Sequence, residues 1–303
     1  MRRLFSPRTL KSLLVTSAAF TAGCLTTGLV LSDKRLFATV QGSTVVPKIA
    51  PSDITDFTST APVFAPHGPL PDPVVQVGLP GAEPVKILPG FLCLYDRRTR
   101  TPRWTLELIT NEQITPTDKM SVDRSKFDFF EDLGEPPEFR STNADYFNSG
   151  FDRGHMAAAG NNKFNPNSMQ KTFVLSNIAP QVGVGFNRGI WNDLEKYVRA
   201  IARKSANVVV VTGPLFLPGK SLSDRGHRQV AYEVIGQNNV AVPTHFFKAV
   251  AVQAAPRGPW KTYAWVMPNQ AMPEGTRVNS FAVPLKDVER AAGLLIFPNL
   301  YKS

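Results

Sequence analysis

The distribution of prolines divides this chain into a proline-rich segment that disfavours helices and strands and a longer segment that can fold. Ten prolines fall between residues 33 and 89, and few long apolar runs lie among them. A proline has no backbone N–H, and its ring disfavours the interior of a helix or of a central strand. We therefore expect residues 33–89 to form an extended linker and residues 90–303 to form the folded domain.

The first 32 residues have the composition of a mitochondrial targeting segment. No acidic residue precedes Asp33, and the basic residues are Arg2, Arg3, Arg8 and Lys11. Residues 12–32 are uncharged, and as a helix they would extend about 31 Å, which is enough to span a bilayer. The alternative is a secretory signal peptide, but no clear small-x-small cleavage site or extracellular cysteine framework supports it.

The charge of the chain favours an anionic partner. The net charge is +10, and +6 remains when the four basic residues of the tail are left out. Such a balance favours nucleic acid or a phospholipid surface, although a generally basic surface without a polyanion partner is the alternative. With two cysteines, Cys24 and Cys93, and four scattered histidines, the sequence excludes a conventional structural zinc site and argues against a disulfide framework.

Strand patterns dominate the chain after residue 90, with no alternation of strands and helices. They predict two strands around a basic turn in 91–110, and further strands at 172–180, 207–216, 230–236, 244–254 and 262–268. Apolar residues at helical spacing predict one amphipathic helix over 187–204, and a short helix lies at 285–295. The pattern therefore indicates one α+β domain with a mixed or antiparallel sheet and few helices.

The tetrapeptide Asp-Arg-Gly-His occurs twice, at 152–155 and at 224–227. The second copy lies between two predicted strands, among prolines, glycines and serines that are typical of a turn. The neighbouring "GKS" does not form a phosphate loop, because five residues separate Gly213 from Gly219 where that motif has four, and no helix follows. We therefore interpret His227 as a loop histidine. His245, in a predicted strand, is interpreted as structural, and His67 falls in the linker.

The first copy stands in a different context. Small residues follow His155, Asn177 falls at the end of a predicted strand, and Asn187 falls at the start of the predicted helix that carries Glu195 and Arg199. A helix N-terminus attracts phosphate through its free amides. In one straight helix, however, Asn187 and Glu195 would lie about 12 Å apart along the axis. We therefore expect the chain near Asn187 to be loop, and Glu195 to act through water.

Residues 150–199 resemble the DNA/RNA non-specific endonuclease family, whose active site is a ββα-metal motif. The resemblance is to its mitochondrial branch, endonuclease G and the fungal counterparts, and it covers about residues 90–297. It is carried by "YFNSGFDRGHMAAAG", "TFVLSNIAPQVGVGFNRGIWNDLEKYVR", "VVTGPLFLP" and "VPTHFFKAV", in that order. The tetrapeptide alone would be a weak signal, but the ordered series is specific.

The resemblance implies a role for each matching residue. His155 would be the general base, Asn187 would be the direct ligand of Mg²⁺, with Mn²⁺ as a substitute, and Asn177 would orient the site. Glu195 would hold metal-bound water, and Arg153 and Arg199 would contact phosphate. Secreted members of the family carry a further arginine on the strand that matches "TLELIT". Here that position is Glu107, so no early arginine is assigned.

These residue types suit phosphodiester hydrolysis. A neutral histidine can accept a proton from water near pH 7, and a hard cation held by oxygen atoms offsets the developing negative charge. The resemblance implies cleavage of DNA and RNA with little sequence preference, leaving a 5′ phosphate, and it implies a homodimer. The alternatives are a membrane-tethered nucleic-acid-binding protein without catalysis and a phosphodiesterase acting on smaller substrates.

The expected location follows from the tail. More lysine and arginine residues precede the uncharged run than directly follow it, so we expect the N-terminus to lie in the mitochondrial matrix. The run would then sit in the inner membrane, with the nuclease domain in the intermembrane space. Release from the membrane would permit relocation to the nucleus.

Overall fold

The computed structural model describes residues 83–115, 121–219 and 226–301. The predictions for the targeting segment, for most of the linker, for His67 and for Asp224 and Arg225 of the second tetrapeptide lie outside these residues. Among the described residues, no helix is both long enough and apolar enough to cross a membrane.

A six-stranded antiparallel sheet lies at the centre of the domain. In spatial order its strands are β1 (Lys86–Leu88), β2 (Phe91–Asp96), β3 (Thr101–Ile109), β6 (Asn207–Leu215), β9 (His245–Gln253) and β10 (Trp260–Pro268). Two smaller antiparallel pairs are β4 (Asp152–His155) with β5 (Ile178–Gln181), and β7 (Val234–Ile235) with β8 (Val240–Ala241). The predicted α+β class with an antiparallel sheet and few helices is confirmed.

The helices are short, with one exception. They are α1 (Asn111–Ile114), α2 (Asn143–Tyr146), α3 (Pro166–Thr172), α4 (Trp191–Ala202) and α5 (Leu285–Ala292). Single 3₁₀ turns occupy Arg124–Lys126, Pro137–Phe139, Ala159–Asn161, Leu175–Asn177, Val278–Phe281 and Pro298–Tyr301. The twelve residues of α4 form the amphipathic helix that the sequence predicts.

Both faces of the sheet are covered. On one face, α4 buries Trp191, Leu194, Val198 and Ala202 against sheet residues that include Val210 and Phe246. Alternate strand residues point to the opposite face, where α5 and the C-terminal segment pack over Phe247 and Ala249. Each fully buried side chain of this kind contributes about 1.5–3 kcal/mol, so the packing of α4 holds its polar face at a defined position.

Three predicted elements differ from the structure. Residues 172–180 are not one strand, because Asn177 bonds backbone groups of Ala157 and Thr172 and the chain curls into a 3₁₀ turn before β5 begins. In the predicted strand at 230–236, only Val234 and Ile235 pair with another strand. The sheet also begins at Lys86, between Pro84 and Pro89, four residues before the predicted start of the domain.

The helix predicted over 187–204 begins at Trp191, in keeping with the expectation that the chain near Asn187 is not regular helix. Residues Gly183–Ile190 form an irregular, kinked segment in which Gly185 has φ +79° and Gly189 has φ −125° and ψ −116°. The methyl group of an alanine at position 185 would come within about 3.1 Å of Ala271. The positive φ and this close approach both require a glycine here. Asn187 therefore precedes α4 and is not part of it.

Candidate active site

Strands β4 and β5 hold the first tetrapeptide in place. His155 pairs with Ile178 at the end of this two-stranded ladder. Beyond it, the side chain of Asn177 accepts a bond from the Ala157 N–H (2.8 Å) and donates to the Ala157 carbonyl (3.0 Å). Asn177 is completely buried, so it fixes the backbone two residues after His155 without reaching solvent.

The imidazole of His155 lies in an apolar environment. Its ring centroid is 5.2 Å from that of Phe129 and 4.9 Å from that of Phe173, and Nε2 is buried without a hydrogen-bond partner. Burial, as the larger cause, and the positive charge of Arg124 together lower the pKa of His155 to about 3. The ring is therefore neutral near pH 7 and able to accept a proton.

The irregular segment before α4 brings Asn187 against the start of β4. Its Nδ2 donates to Oδ2 of Asp152 at 2.9 Å, and the same carboxylate pairs with Arg188 at 3.2 Å. Because this bond uses the amide nitrogen, the carbonyl oxygen of Asn187 is the atom available to a cation. The described residues contain no group of three or more His, Cys, Asp or Glu side chains arranged as a metal site. An amide oxygen with nearby carboxylates fits a hard cation that retains several waters.

The polar face of α4 forms one wall of the site. Asn192, Glu195 and Arg199 lie on this face at helical spacing. Arg199 Nη1 is 3.8 Å from Oε2 of Glu195, and both side chains are mostly buried. Burial raises the pKa of Glu195, while the charges of Lys248 and Arg199 oppose that shift.

These elements enclose one cleft. A cavity of about 210 Å³ is lined by Arg124, His155, Ala159, Gly160, Asn187, Arg188, Asn192 and Glu195. A cavity of about 450 Å³ shares several of these residues and also borders Lys163 and Arg199. The structure thus brings His155, Asn187 and Glu195 together around one space, with Arg199 beside it. The later start of α4 explains how Asn187 and Glu195 can share it.

Two of the six predicted residues lie outside the lining of these cavities. Asn177 is buried behind His155, as described above. Arg153 donates to Oδ1 of Asn143 at 2.7 Å, and its guanidinium lies 4.4 Å from the ring centroid of Phe129. Its contact with phosphate therefore stays a prediction.

Sequence reasoning missed Arg124, which lines the cleft, and Asp152, which bonds the side chain of Asn187. Arg124 comes from a 3₁₀ turn in a loop-rich stretch, 31 residues before His155, and no local pattern marks it. Arg124 is thus an arginine that precedes the first tetrapeptide and lines the cleft, whereas Glu107 is buried and lines neither cavity. Asp152 is part of the tetrapeptide itself, but Asp is so common in turns that its pairing with Asn187 gives no separate signal.

The other described histidines lie elsewhere. His227 is exposed and lines neither of these cavities. His245 begins β9, where Nδ1 is 3.0 Å from Oγ1 of Thr244, and its pKa is lowered by burial. In the part of the chain that the structure describes, His155 is thus the histidine of the cleft.

The sequence is similar to those of known proteins. The profile of the DNA/RNA non-specific endonuclease family matches residues 70–303. The chain is 44% identical over 227 residues to "Endonuclease G, mitochondrial" of Caenorhabditis elegans, covering 75% of this chain and 72% of the relative. It is 41% identical over 232 residues to "Mitochondrial nuclease" of Saccharomyces cerevisiae, covering 74% and 69%.

The fold is also similar to a solved structure. A chain from a crystal structure of the EndoG/EndoGI complex superposes with a TM-score of 0.68 at 47% identity, covering 74% of this chain and 90% of that one.

Proposed function

This chain belongs to the DNA/RNA non-specific endonuclease family, and on that premise we propose that it hydrolyses phosphodiester bonds of both DNA and RNA in the cleft between β4 and α4. The observation that carries the proposal is the shared lining of one cavity by His155, Asn187, Glu195 and Arg124. A nucleophile activator, a cation ligand and a phosphate-binding arginine are thus present in one space.

His155 acts as the general base. Its ring is neutral because it is buried, so it can take a proton from a water that attacks the phosphorus atom. A neutral base of this type contributes about 10²–10⁴-fold to a hydrolysis rate. The flanking rings of Phe129 and Phe173 hold the imidazole in one orientation.

Asn187 and its neighbours provide the cation site. The family is one of metal-dependent nucleases, and we assign Mg²⁺, with Mn²⁺ as a substitute. Asn187 supplies a carbonyl oxygen, Asp152 orients that amide, and Glu195 accepts hydrogen bonds from water in the cleft. When bound, Mg²⁺ supplies positive charge that stabilises the pentacovalent phosphorus and the departing oxygen. The products would be a 5′ phosphate and a 3′ hydroxyl.

Positive side chains hold the substrate. Arg124 and Arg199 lie on two sides of the cleft, and Lys163 borders its wider part. Contacts of this kind address the phosphate backbone and carry no base information, which accounts for weak sequence preference. The net charge of +10 adds attraction at longer range.

A plasmid-nicking assay with Mg²⁺ and with EDTA tests the proposal, using duplex DNA, single-stranded DNA and RNA. Cleavage of all three that EDTA stops is the expected result. Binding without cleavage would indicate a nucleic-acid-binding protein, and hydrolysis of only small phosphodiesters would indicate a different substrate class. Sedimentation of the purified domain tests the homodimer, which we propose from the family resemblance.

We also propose that the protein is anchored in the mitochondrial inner membrane by residues 12–32, with its nuclease domain in the intermembrane space and nuclear relocation on release. Relatives named as mitochondrial nucleases support the organelle. Protease digestion of mitoplasts tests the orientation, and protection of the domain after rupture of the outer membrane would contradict it.

A further inference from the structure

A buried carboxylate lies behind the cleft, on the face of β3 that packs towards α4. Glu107 is 1% exposed, and its neighbour on the same face, Ile109, belongs to the core beneath the helix. Burial raises the pKa of Glu107 to about 7, against the opposing charge of Lys248. An acidic group in such a position is costly unless its oxygens are bonded.

Both oxygens of Glu107 face the turn that borders the cleft. Oε1 accepts from Nδ2 of Asn161 at 3.1 Å, and Oε2 lies 3.4 Å from the backbone nitrogen of Ala158. These two residues flank Ala159 and Gly160, which line both cavities. Glu107 therefore holds the turn from inside the domain without lining either cavity.

Asn161 links Glu107 to the arginine beside the cleft. Its Oδ1 accepts from Nη1 of Arg199 at 3.1 Å. Because its Nδ2 is committed to Glu107, the amide has one orientation, and its oxygen faces the guanidinium. On another side, the guanidinium of Arg199 packs against Gly160. The methyl group of an alanine at position 160 would lie only 2.8 Å from Nη1. Glu195 completes the surroundings, with 3.8 Å between Oε2 and Nη1.

We propose that Glu107 and Asn161 are positioning residues for hydrolysis, forming a relay that holds the guanidinium of Arg199 in the cleft beside Glu195. The inference rests on the proposed nuclease function. Arg199 is the group that meets the substrate phosphate, and the other two act through it. A long arginine side chain loses much conformational freedom when it binds phosphate, and a preset orientation removes part of that loss before the substrate arrives.

Lys248 explains why a carboxylate is tolerated at this depth. Its ammonium group is buried, donates to Oγ1 of Thr212 at 2.7 Å and lies 4.9 Å from the ring centroid of Trp191 at the start of α4. The positive charge offsets the negative charges of Glu107 and Glu195. The relay is therefore part of a buried group of charges in which Lys248 offsets Glu107 and Glu195.

A double-mutant cycle tests the relay. Asn161→Ala should lower kcat/KM on duplex DNA by about 10- to 100-fold, because a displaced binding group can cost that much. Adding Asn161→Ala to Arg199→Ala should lower it by less than about threefold more, since the two residues act as one unit. The Mg²⁺ concentration for half-maximal rate should not change, because Asn187 and Asp152 are untouched.

Two further variants approach the same guanidinium by other routes. Glu107→Leu should reproduce the loss, and Glu107→Gln should restore much of it, because a glutamine oxygen still accepts from Asn161. Gly160→Ala should displace the flexible end of Arg199 and lower kcat/KM while the protein remains folded, as checked by thermal melting. Gly160→Ala therefore still tests the position of Arg199 if a Glu107 variant fails to fold.

Glu135→Gln is the matched control. Glu135 is also a buried glutamate, but it pairs with Lys86 and Arg97 and lines neither cleft cavity. This variant should melt at a lower temperature and retain kcat/KM within about twofold. The relay is refuted if Asn161→Ala or Gly160→Ala cleaves within twofold of the parent, or if the Asn161 and Arg199 losses multiply in full. A parent protein that cuts no nucleic acid would instead refute the proposed function.

Discussion

Replacing His155 with alanine should remove cleavage and leave the fold nearly as stable as that of the parent. The substitution deletes the group that accepts a proton from water, so the rate should fall by at least about 10²–10⁴-fold. The Asn187–Asp152 pair is unaffected, so cation binding should persist. Addition of imidazole should restore part of the activity, whereas higher Mg²⁺ should not.

The small effect on stability follows from two opposing contributions around the ring. Its contacts with Phe129 and Phe173 are worth about 0.5–1.5 kcal/mol each. Against this, the buried Nε2 has no hydrogen-bond partner, which costs the parent about 1–3 kcal/mol. The net change should therefore stay within about 2 kcal/mol, which shifts the melting temperature by no more than roughly 4–8 °C in a domain of this size.

The assay compares plasmid nicking under single-turnover conditions with melting followed by circular dichroism. The control is His227→Ala, which alters the same tetrapeptide where the histidine is exposed and lines neither cleft cavity. Its cleavage rate should change by less than about threefold. If His227→Ala proves as damaging as His155→Ala while both proteins fold, the active site has been assigned to the wrong copy.

Three further outcomes are expected. Asn187→Ala should lose cleavage at ordinary Mg²⁺ and recover part of it at raised Mg²⁺ or Mn²⁺; an unchanged metal-concentration curve would argue against Asn187 as a ligand. Binding of duplex DNA by His155→Ala should weaken steeply with salt, with a log–log slope of about −0.9 for each phosphate neutralised; a flat curve would exclude recognition led by phosphates. Because the folded-state pKa of His155, about 3, lies below its ordinary 6.5, the unfolded chain takes up this proton first as the pH falls. The parent should thus lose stability relative to His155→Ala as pH falls from about 6.5 towards 3, and parallel melting curves across that range would contradict the buried, neutral ring.

The long elements could be predicted because their patterns are strong and local. β6, β9 and β10 have many apolar residues and nine residues each, and α4 repeats its apolar side chains at helical spacing. Such patterns survive in the fold because the sheet and the helix bury those faces. The position of Glu195 and Arg199 on this helix was predictable on the same basis, whereas their roles were implied by the family resemblance.

The short elements depend on contacts that no local pattern contains. β5 has four residues, and the turn before it forms because Asn177 bonds with the distant Ala157 as well as with Thr172. The start of α4 shifts because Gly185 and Gly189 take backbone conformations that end regular helix. An apolar run of that length is compatible with strand or helix, and the tertiary partners choose between them.

By itself, the sequence determined the α+β class and the amphipathic helix α4. It also showed that the first of the two identical tetrapeptides is the one followed along the chain by Asn177, Asn187, Glu195 and Arg199. The tertiary structure alone decided that Arg124 lines the cleft from a distant loop, that Arg153 packs against Phe129, and that Asn161 bonds both Glu107 and Arg199. The physical reason is one of range: periodicity and capping act over a few residues, whereas the surroundings of a catalytic group are assembled from segments that only the packed fold brings together.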